Sequence, residues 1–145
     1  MLTACQSSRS RSLHSAVLLA LNTCMRYSEL QLLTWEQVNL AARTVTVGLS
    51  KTEAGAGRVI PLNARALGLL SFWADLFPNR EPNHYVFPSK KYGIAQREDE
   101  KKGLTRTYVY DTDPTKPIGR WKEAWEAAKI RAGVECRFHD LRHTG

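Results

Sequence analysis

Residues 44–62 read Thr44-Val45-Thr46-Val47-Gly48-Leu49-Ser50-Lys51-Thr52-Glu53-Ala54-Gly55-Ala56-Gly57-Arg58-Val59-Ile60-Pro61-Leu62. The first four are β-branched and alternate in the period of a strand. Arg58-Val59-Ile60-Pro61-Leu62 is a second strand signal, and Pro61 marks an edge or a strand end because it cannot donate to a ladder. The glycine-rich stretch between them is a turn, so the segment predicts a small antiparallel sheet whose turn carries Lys51.

On both sides of this sheet the spacing is helical. Upstream, Leu13, Ala16, Val17, Ala20, Leu21 and Cys24 recur at helical intervals, which predicts a helix over residues 12–24. A short helix is expected over residues 27–33, with Leu30 and Leu33 on one face. Thr34 followed three residues later by Gln37 has the pattern of a capping box, so a new turn should begin at Trp35. Downstream, Asn63 is a candidate N-cap for a helix whose stripe is Ala66, Leu67, Leu70, Trp73, Ala74 and Phe77, stopped by Pro78. Residues 88–117 mix charges, glycine and proline with little periodicity. They are expected to form a long mobile loop, with a short strand at residues 107–110. A last helix is expected over residues 119–132, with Trp121, Ala124, Trp125 and Ala128 on one face and Gly133 as its C-cap. Residues 138–145 look like the first turns of another helix. Residues 1–11 are polar and basic and are expected to be a flexible arm. The fold class is therefore mainly α with a small antiparallel β-sheet, an α+β arrangement.

Composition bounds the function. At 145 residues the chain has the size of one domain, and 43% hydrophobic residues exclude a disordered chain. Lys and Arg number 21 against 14 Asp and Glu, a net charge of +7. That excess favours a polyanionic partner such as nucleic acid or an anionic surface. Three unpaired-looking cysteines, Cys5, Cys24 and Cys136, fit a reducing compartment better than a disulfide framework or a zinc site. The apolar run from Ala16 to Leu21 is too short for a membrane span and lacks a following cleavage pattern, so it reads as a buried helix.

Taken singly, the chemically able residues say little. An arginine such as Arg26 is ordinarily solvated or salt-bridged, and Lys51 on a turn is ordinarily exposed. His139 and His143 are four apart, the spacing of metal ligands on a helix, but no third ligand stands near them in sequence. Gly55 and Gly57 lack the Gly-Lys-Ser/Thr that would make a phosphate loop.

Their order is more informative. Leu21-Asn22-Thr23-Cys24-Met25-Arg26-Tyr27-Ser28-Glu29-Leu30, followed by Leu33-Thr34-Trp35, resembles the first box of the tyrosine recombinases, the phage-integrase family. Ser50-Lys51-Thr52 and the strand after it resemble that family's lysine hairpin. Phe138-His139-Asp140-Leu141-Arg142-His143-Thr144 resembles its second box, His-x-x-Arg, and is the most specific of the three. The resemblance covers residues 12–145 and implies a partial recombinase catalytic domain there.

What the resemblance implies can be stated residue by residue. Arg26 and Arg142 match the two arginines that grip the non-bridging oxygens of a DNA phosphodiester, a task suited to a guanidinium because it donates in pairs and keeps its proton. Lys51 matches the general acid that protonates the leaving 5′ oxygen, and His139 the histidine that assists proton transfer. Glu29 matches the supporting acid that positions the first arginine. No metal or nucleotide cofactor is implied, because the 3′-phosphotyrosine link stores the bond energy for rejoining. The implied partners are duplex DNA and, in a full-length protein, a recombinase oligomer, with no membrane; the implied location is cytoplasmic and nucleoid-associated. The family's nucleophilic tyrosine follows the second arginine. Here all five tyrosines, Tyr27, Tyr85, Tyr92, Tyr108 and Tyr110, precede His139. The expectation is a chain that lacks the nucleophile and is inactive as it stands. Alternatives are a non-catalytic DNA-binding remnant, a type IB topoisomerase-like fragment, and a metal hydrolase using His139, Asp140 and His143. Cys24 stands where the family usually has glycine.

Overall fold

The computed structural model describes residues 2–8, 10–48, 57–99 and 103–143; over 90–111 and at 142–143 it describes the backbone alone. Five α-helices, two antiparallel sheets and two 3₁₀ turns make up the described chain. In chain order these are α1 (Leu2–Gln6), α2 (Leu13–Thr23), α3 (Tyr27–Gln31), a 3₁₀ turn (Trp35–Gln37), β1 (Val38–Asn39), β2 (Thr44–Thr46), β3 (Val59–Pro61), α4 (Ala64–Asp75), β4 (Pro88–Asp99), β5 (Gly103–Pro117), α5 (Lys122–Ala132) and a second 3₁₀ turn (Phe138–His143). The mainly helical architecture with a small antiparallel sheet is the one expected, and a second sheet is added to it.

The central element is α2. Its apolar residues Leu13, Ala16, Val17, Leu19 and Ala20 are all buried, and α1, α4 and the second 3₁₀ turn lie against it. It ends at Cys24, which adopts the left-handed conformation (φ 57°, ψ 24°) and donates its N–H to the Ala20 carbonyl at 2.9 Å. This reversal turns the chain sharply into α3. The capping box at Thr34 forms as expected: Gln37 Oε1 accepts the Thr34 backbone N–H at 2.8 Å.

The first sheet runs β1-β2-β3, with Val38 opposite Val45 and Val45 opposite Ile60. Its buried residues Val45 and Val47 enter the core, and Arg58 O accepts the Val47 N–H at 2.8 Å just before β3. The β2 to β3 connection spans residues 47–58, of which 49–56, and so Lys51, lie outside the described residues. Asn63 caps α4 as expected, its Oδ1 accepting the Ala66 N–H at 2.9 Å, and Ala66, Leu70, Trp73 and Ala74 are buried along its inner stripe.

Two expectations are corrected. Residues 88–117 are not a long loop: β4 and β5 pair antiparallel from Pro88 opposite Pro117 to Asp99 opposite Gly103, with an irregularity between Pro88 and Ser89. The β-prone run Leu104-Thr105-Arg106-Thr107-Tyr108-Val109-Tyr110 extends well beyond the short strand expected at residues 107–110. Residues 1–11 are not a flexible arm throughout. Leu2–Gln6 is helical, Cys5 is buried, and α1 lies against α2 and α5. Arg131 reaches back from α5 to donate to Ser7 Oγ at 2.9 Å.

No helix among the described residues is long and apolar enough to cross a membrane.

Candidate phosphate-binding site

The site begins at the turn from α2 into α3. The left-handed Cys24 sends the chain into an extended Arg26 (φ −75°, ψ 157°), which caps α3. Glu29, one turn into that helix, folds its carboxylate back. Glu29 Oε2 accepts the Arg26 backbone N–H at 2.8 Å, and Oε1 accepts from Arg26 Nη1 at 3.2 Å. One acid thus caps the helix start and holds the arginine's side chain.

The Glu29 side chain is fully buried. A carboxylate in that position is costly unless its charge is balanced and its oxygens are bonded. The second balancing group is Arg58, whose Nη2 lies 3.1 Å from Glu29 Oε2. Burial alone would raise the Glu29 carboxyl pKa. The Arg26 backbone N–H, the Arg58 charge and the side-chain hydrogen bonds from both arginines outweigh it and hold the carboxyl below its ordinary value. The result is a trio of one anion and two cations in which both arginine side chains remain partly exposed, 25% for Arg26 and 34% for Arg58.

Arg58 was not among the residues singled out from sequence. The available signal was its place beside the turn, coupled with the requirement that a buried acid be balanced. Nothing local in the chain says that residues 29 and 58 meet.

The second box arrives at the same place through aromatic contacts. Tyr27, next to Arg26, meets Phe138, next to His139, edge to face with ring centroids 5.1 Å apart. Trp121 completes the cluster: it stands edge-on to Tyr27 at 5.3 Å and stacks on Phe138 at 6.2 Å. Its backbone N–H donates to the Tyr27 hydroxyl at 2.6 Å, and its indole N–H to Ser12 Oγ at 2.9 Å. Burial is the main cause that pushes the Tyr27 phenol above its ordinary pKa.

His139 is exposed, on the 3₁₀ turn Phe138–His143. That turn is started by Asp140, whose carboxylate accepts the Arg137 backbone N–H at 2.8 Å and Arg137 Nη2 at 3.0 Å. Asp140 is therefore committed to Arg137. Arg142 lies on the same turn, but its side chain and that of His143 are outside the described residues. Of the sequence-selected residues, Arg26 and Glu29 are in direct contact, and the 3₁₀ turn carrying His139 and Arg142 lies against α2, with its Phe138 ring on Tyr27 of α3.

Comparison with known proteins places the chain in a family and shows its fold. Residues 1–145 match the phage integrase family. The integrase of Salmonella phage P22 is 30% identical over 135 residues, 91% of this chain and 30% of that protein. The prophage integrase IntZ of Escherichia coli K12 is 32% identical over 78 residues, 54% of this chain and 19% of that protein. The chain thus spans less than a third of either curated relative. Among solved structures, the Tn1549 transposon integrase in complex with a circular intermediate DNA superposes with a TM-score of 0.60 at 18% identity, covering 99% of this chain and 48% of that one. The catalytic domain of bacteriophage HP1 integrase gives 0.53 at 20% identity, covering 99% and 61%. At these identities the superpositions establish the shared fold.

Proposed function

We propose that this chain, which belongs to the phage integrase family, supplies the phosphate-gripping part of a recombinase that breaks and rejoins duplex DNA through a 3′-phosphotyrosine link. The observation that carries the reading is the Arg26 guanidinium anchored on a buried Glu29 carboxylate, on a side chain that remains partly exposed. A preset guanidinium stabilises the charge that grows on the non-bridging oxygens during cleavage without having to reorganise. Arg142 is the second guanidinium, Lys51 the general acid toward the leaving 5′ oxygen, and His139 the assisting histidine. The net charge of +7 suits the polyanion. The partners are duplex DNA and neighbouring recombinase subunits. The Tn1549 integrase, solved with DNA, offers a precedent of the same fold.

The five tyrosines of residues 1–145 do not act as the nucleophile in this reading. Tyr27, the one beside Arg26, has its hydroxyl engaged by the Trp121 N–H, and its phenol resists ionisation. In this reading Arg26 and Arg142 bind and orient the phosphate, and the phenol is supplied from elsewhere.

Fluorescence anisotropy of a labelled duplex titrated with the chain tests the binding part. Affinity in the micromolar range is expected at physiological salt, with log K falling by about 0.9 per phosphate contacted for each decade of salt. Arg26→Ala and Arg142→Ala should each weaken binding. Absence of binding, or binding indifferent to salt, overturns the reading.

A further inference from the structure

We infer that Arg58 is a positioning residue of the candidate phosphate site: it offsets the buried Glu29 carboxylate from the sheet side, so that Glu29 can hold Arg26 without cancelling its charge. The inference rests on the phosphate-binding reading of Arg26 and extends it to a residue to which the family resemblance assigned no role.

The two arginines take different carboxylate oxygens. Arg26 Nη1 is 3.2 Å from Oε1, and Arg58 Nη2 is 3.1 Å from Oε2, the oxygen that also accepts the Arg26 backbone N–H. With Arg26 alone, the pair of buried acid and guanidinium would be neutral, and an approaching phosphate would meet a dipole. With Arg58 present the trio carries one net positive charge beside the phosphate. Holding and charging are thereby divided between two cations.

The position of Arg58 adds a mechanical consequence. Its carbonyl accepts the Val47 N–H at 2.8 Å, and Gly57 N donates to the Val47 carbonyl at 2.7 Å. Val47 and Arg58 therefore close the base of the connection in which Lys51 lies. Through its side chain Arg58 ties that base to the acid that anchors Arg26. Arg58 thus bonds both Glu29 and the base of that connection and, on this inference, no phosphate.

Three variants of the chain separate this from the alternatives in the same duplex anisotropy assay: Arg58→Gln, Arg58→Lys, and the double variant Arg58→Gln with Glu29→Gln. The single glutamine should weaken duplex binding about tenfold, since it leaves Glu29 opposing Arg26. Lysine should keep affinity within about threefold of the parent. The double variant should recover most of the loss: no carboxylate remains to offset Arg26, and the amide oxygen that Glu29→Gln leaves in its place can still accept the arginine's hydrogen bond. A double variant as weak as the single one, with the salt slope reduced by about 0.9, would mean that Arg58 contacts a phosphate directly and would overturn the inference. If Arg58→Gln does not fold, the lysine and double variants decide the matter, and a tenfold loss in both overturns it. Carbon-13 NMR titration of the Glu29 carboxyl gives a DNA-independent reading: its pKa should rise in Arg58→Gln and stay low in Arg58→Lys, and an unchanged titration in Arg58→Gln counts against the inference. Failure of the parent chain to bind any duplex sinks the DNA reading instead, and the titration then judges the link between Arg58 and Glu29 separately.

Discussion

The ring of Tyr27 meets the ring of Phe138 at 86° with centroids 5.1 Å apart, and each is the immediate chain neighbour of a candidate site residue, Arg26 and His139. The two boxes are separated by more than a hundred residues, so this contact and the Trp121 ring between Tyr27 and Phe87 set their mutual position. Phe138→Ala should destabilise the chain by about 3 kcal/mol, the usual scale for removing a packed aromatic. A double-mutant cycle with Tyr27→Ala should show coupling of about 1 kcal/mol, read from urea denaturation. Duplex affinity should fall in Phe138→Ala even at temperatures where the chain stays folded. Additive single effects would show that the two rings do not act together.

Acid should loosen the first box. The Glu29 carboxyl has a folded-state pKa below its ordinary value of 4.5, so the unfolded chain binds the extra proton first. Its contribution to stability is fully present above about pH 4.5 and is lost as pH falls through the folded value. Denaturation midpoints measured from about pH 6 downward should therefore drop more steeply for the parent than for Glu29→Gln, which has no proton to take up there. Glu29→Ala should cost about 3 kcal/mol near neutral pH, at the low end for a broken buried pair because both arginine side chains retain access to water. Equal pH slopes in parent and Glu29→Gln would refute this account.

Much of this fold was legible in local sequence because local interactions decide it. The Thr34 and Gln37 capping box, the Asn63 cap and the Gly133 cap at φ 65° each follow from residues within a few positions, and the pairing of residues 44–46 with 59–61 follows from two β-prone runs that flank one glycine-rich turn. The misread parts depend on distant partners. A five-residue helix such as α1 is too short to stand alone, and burial of Cys5 between other elements stabilises it. In residues 88–117 interspersed charges hide the two-residue period, and pairing with the opposite strand supplies what the pattern lacks. Helix α5 starts at Lys122 and not near Gly119, since the Ile118 and Gly119 carbonyls accept from Gln31 Nε2 at 2.9 and 2.8 Å. The same distinction holds at the site. The Arg26 and Glu29 pair is local and readable, whereas Arg58 joins it only through the fold.

Cys24 offers a stability test at the entry to the site. Its left-handed φ of 57° brings Cβ close to neighbouring backbone, a conformation that glycine adopts without penalty. Cys24→Gly should stabilise the chain by about 1 kcal/mol, raising Tm by roughly 3 °C for a domain of this size. Cys24→Ala keeps the Cβ and should gain little. Cys24→Val adds a branch at that atom and should lower Tm. A lower Tm in Cys24→Gly than in Cys24→Ala would show that the cysteine side chain contributes more there than its backbone costs.

Covalent chemistry is the sharpest test of how these residues divide the work. Joining protein to a 3′ phosphate needs a phenol oxygen that can ionise and reach the phosphorus opposite the leaving oxygen. Guanidinium groups stabilise the transition state and cannot replace that nucleophile. Tyr27 is the chain neighbour of Arg26, the proposed phosphate ligand, yet its oxygen accepts the Trp121 N–H at 2.6 Å and burial raises its pKa. Tyr85 is held by its backbone, whose N–H donates to the Pro114 carbonyl at 3.0 Å, and Tyr92, Tyr108 and Tyr110 belong to the β4 and β5 hairpin. A polypeptide comprising residues 1–145 should therefore bind a nicked duplex and form no adduct that survives denaturation, even when release of a short strand past the nick would trap one. Supplying the phenol on a longer polypeptide should produce the adduct, and Arg26→Ala should abolish it even at temperatures where the variant, which loses one partner of the buried Glu29 carboxylate, stays folded. A denaturation-resistant band from residues 1–145 that disappears on changing one of the five tyrosines to Phe would assign the nucleophile to that residue and reverse the roles proposed here.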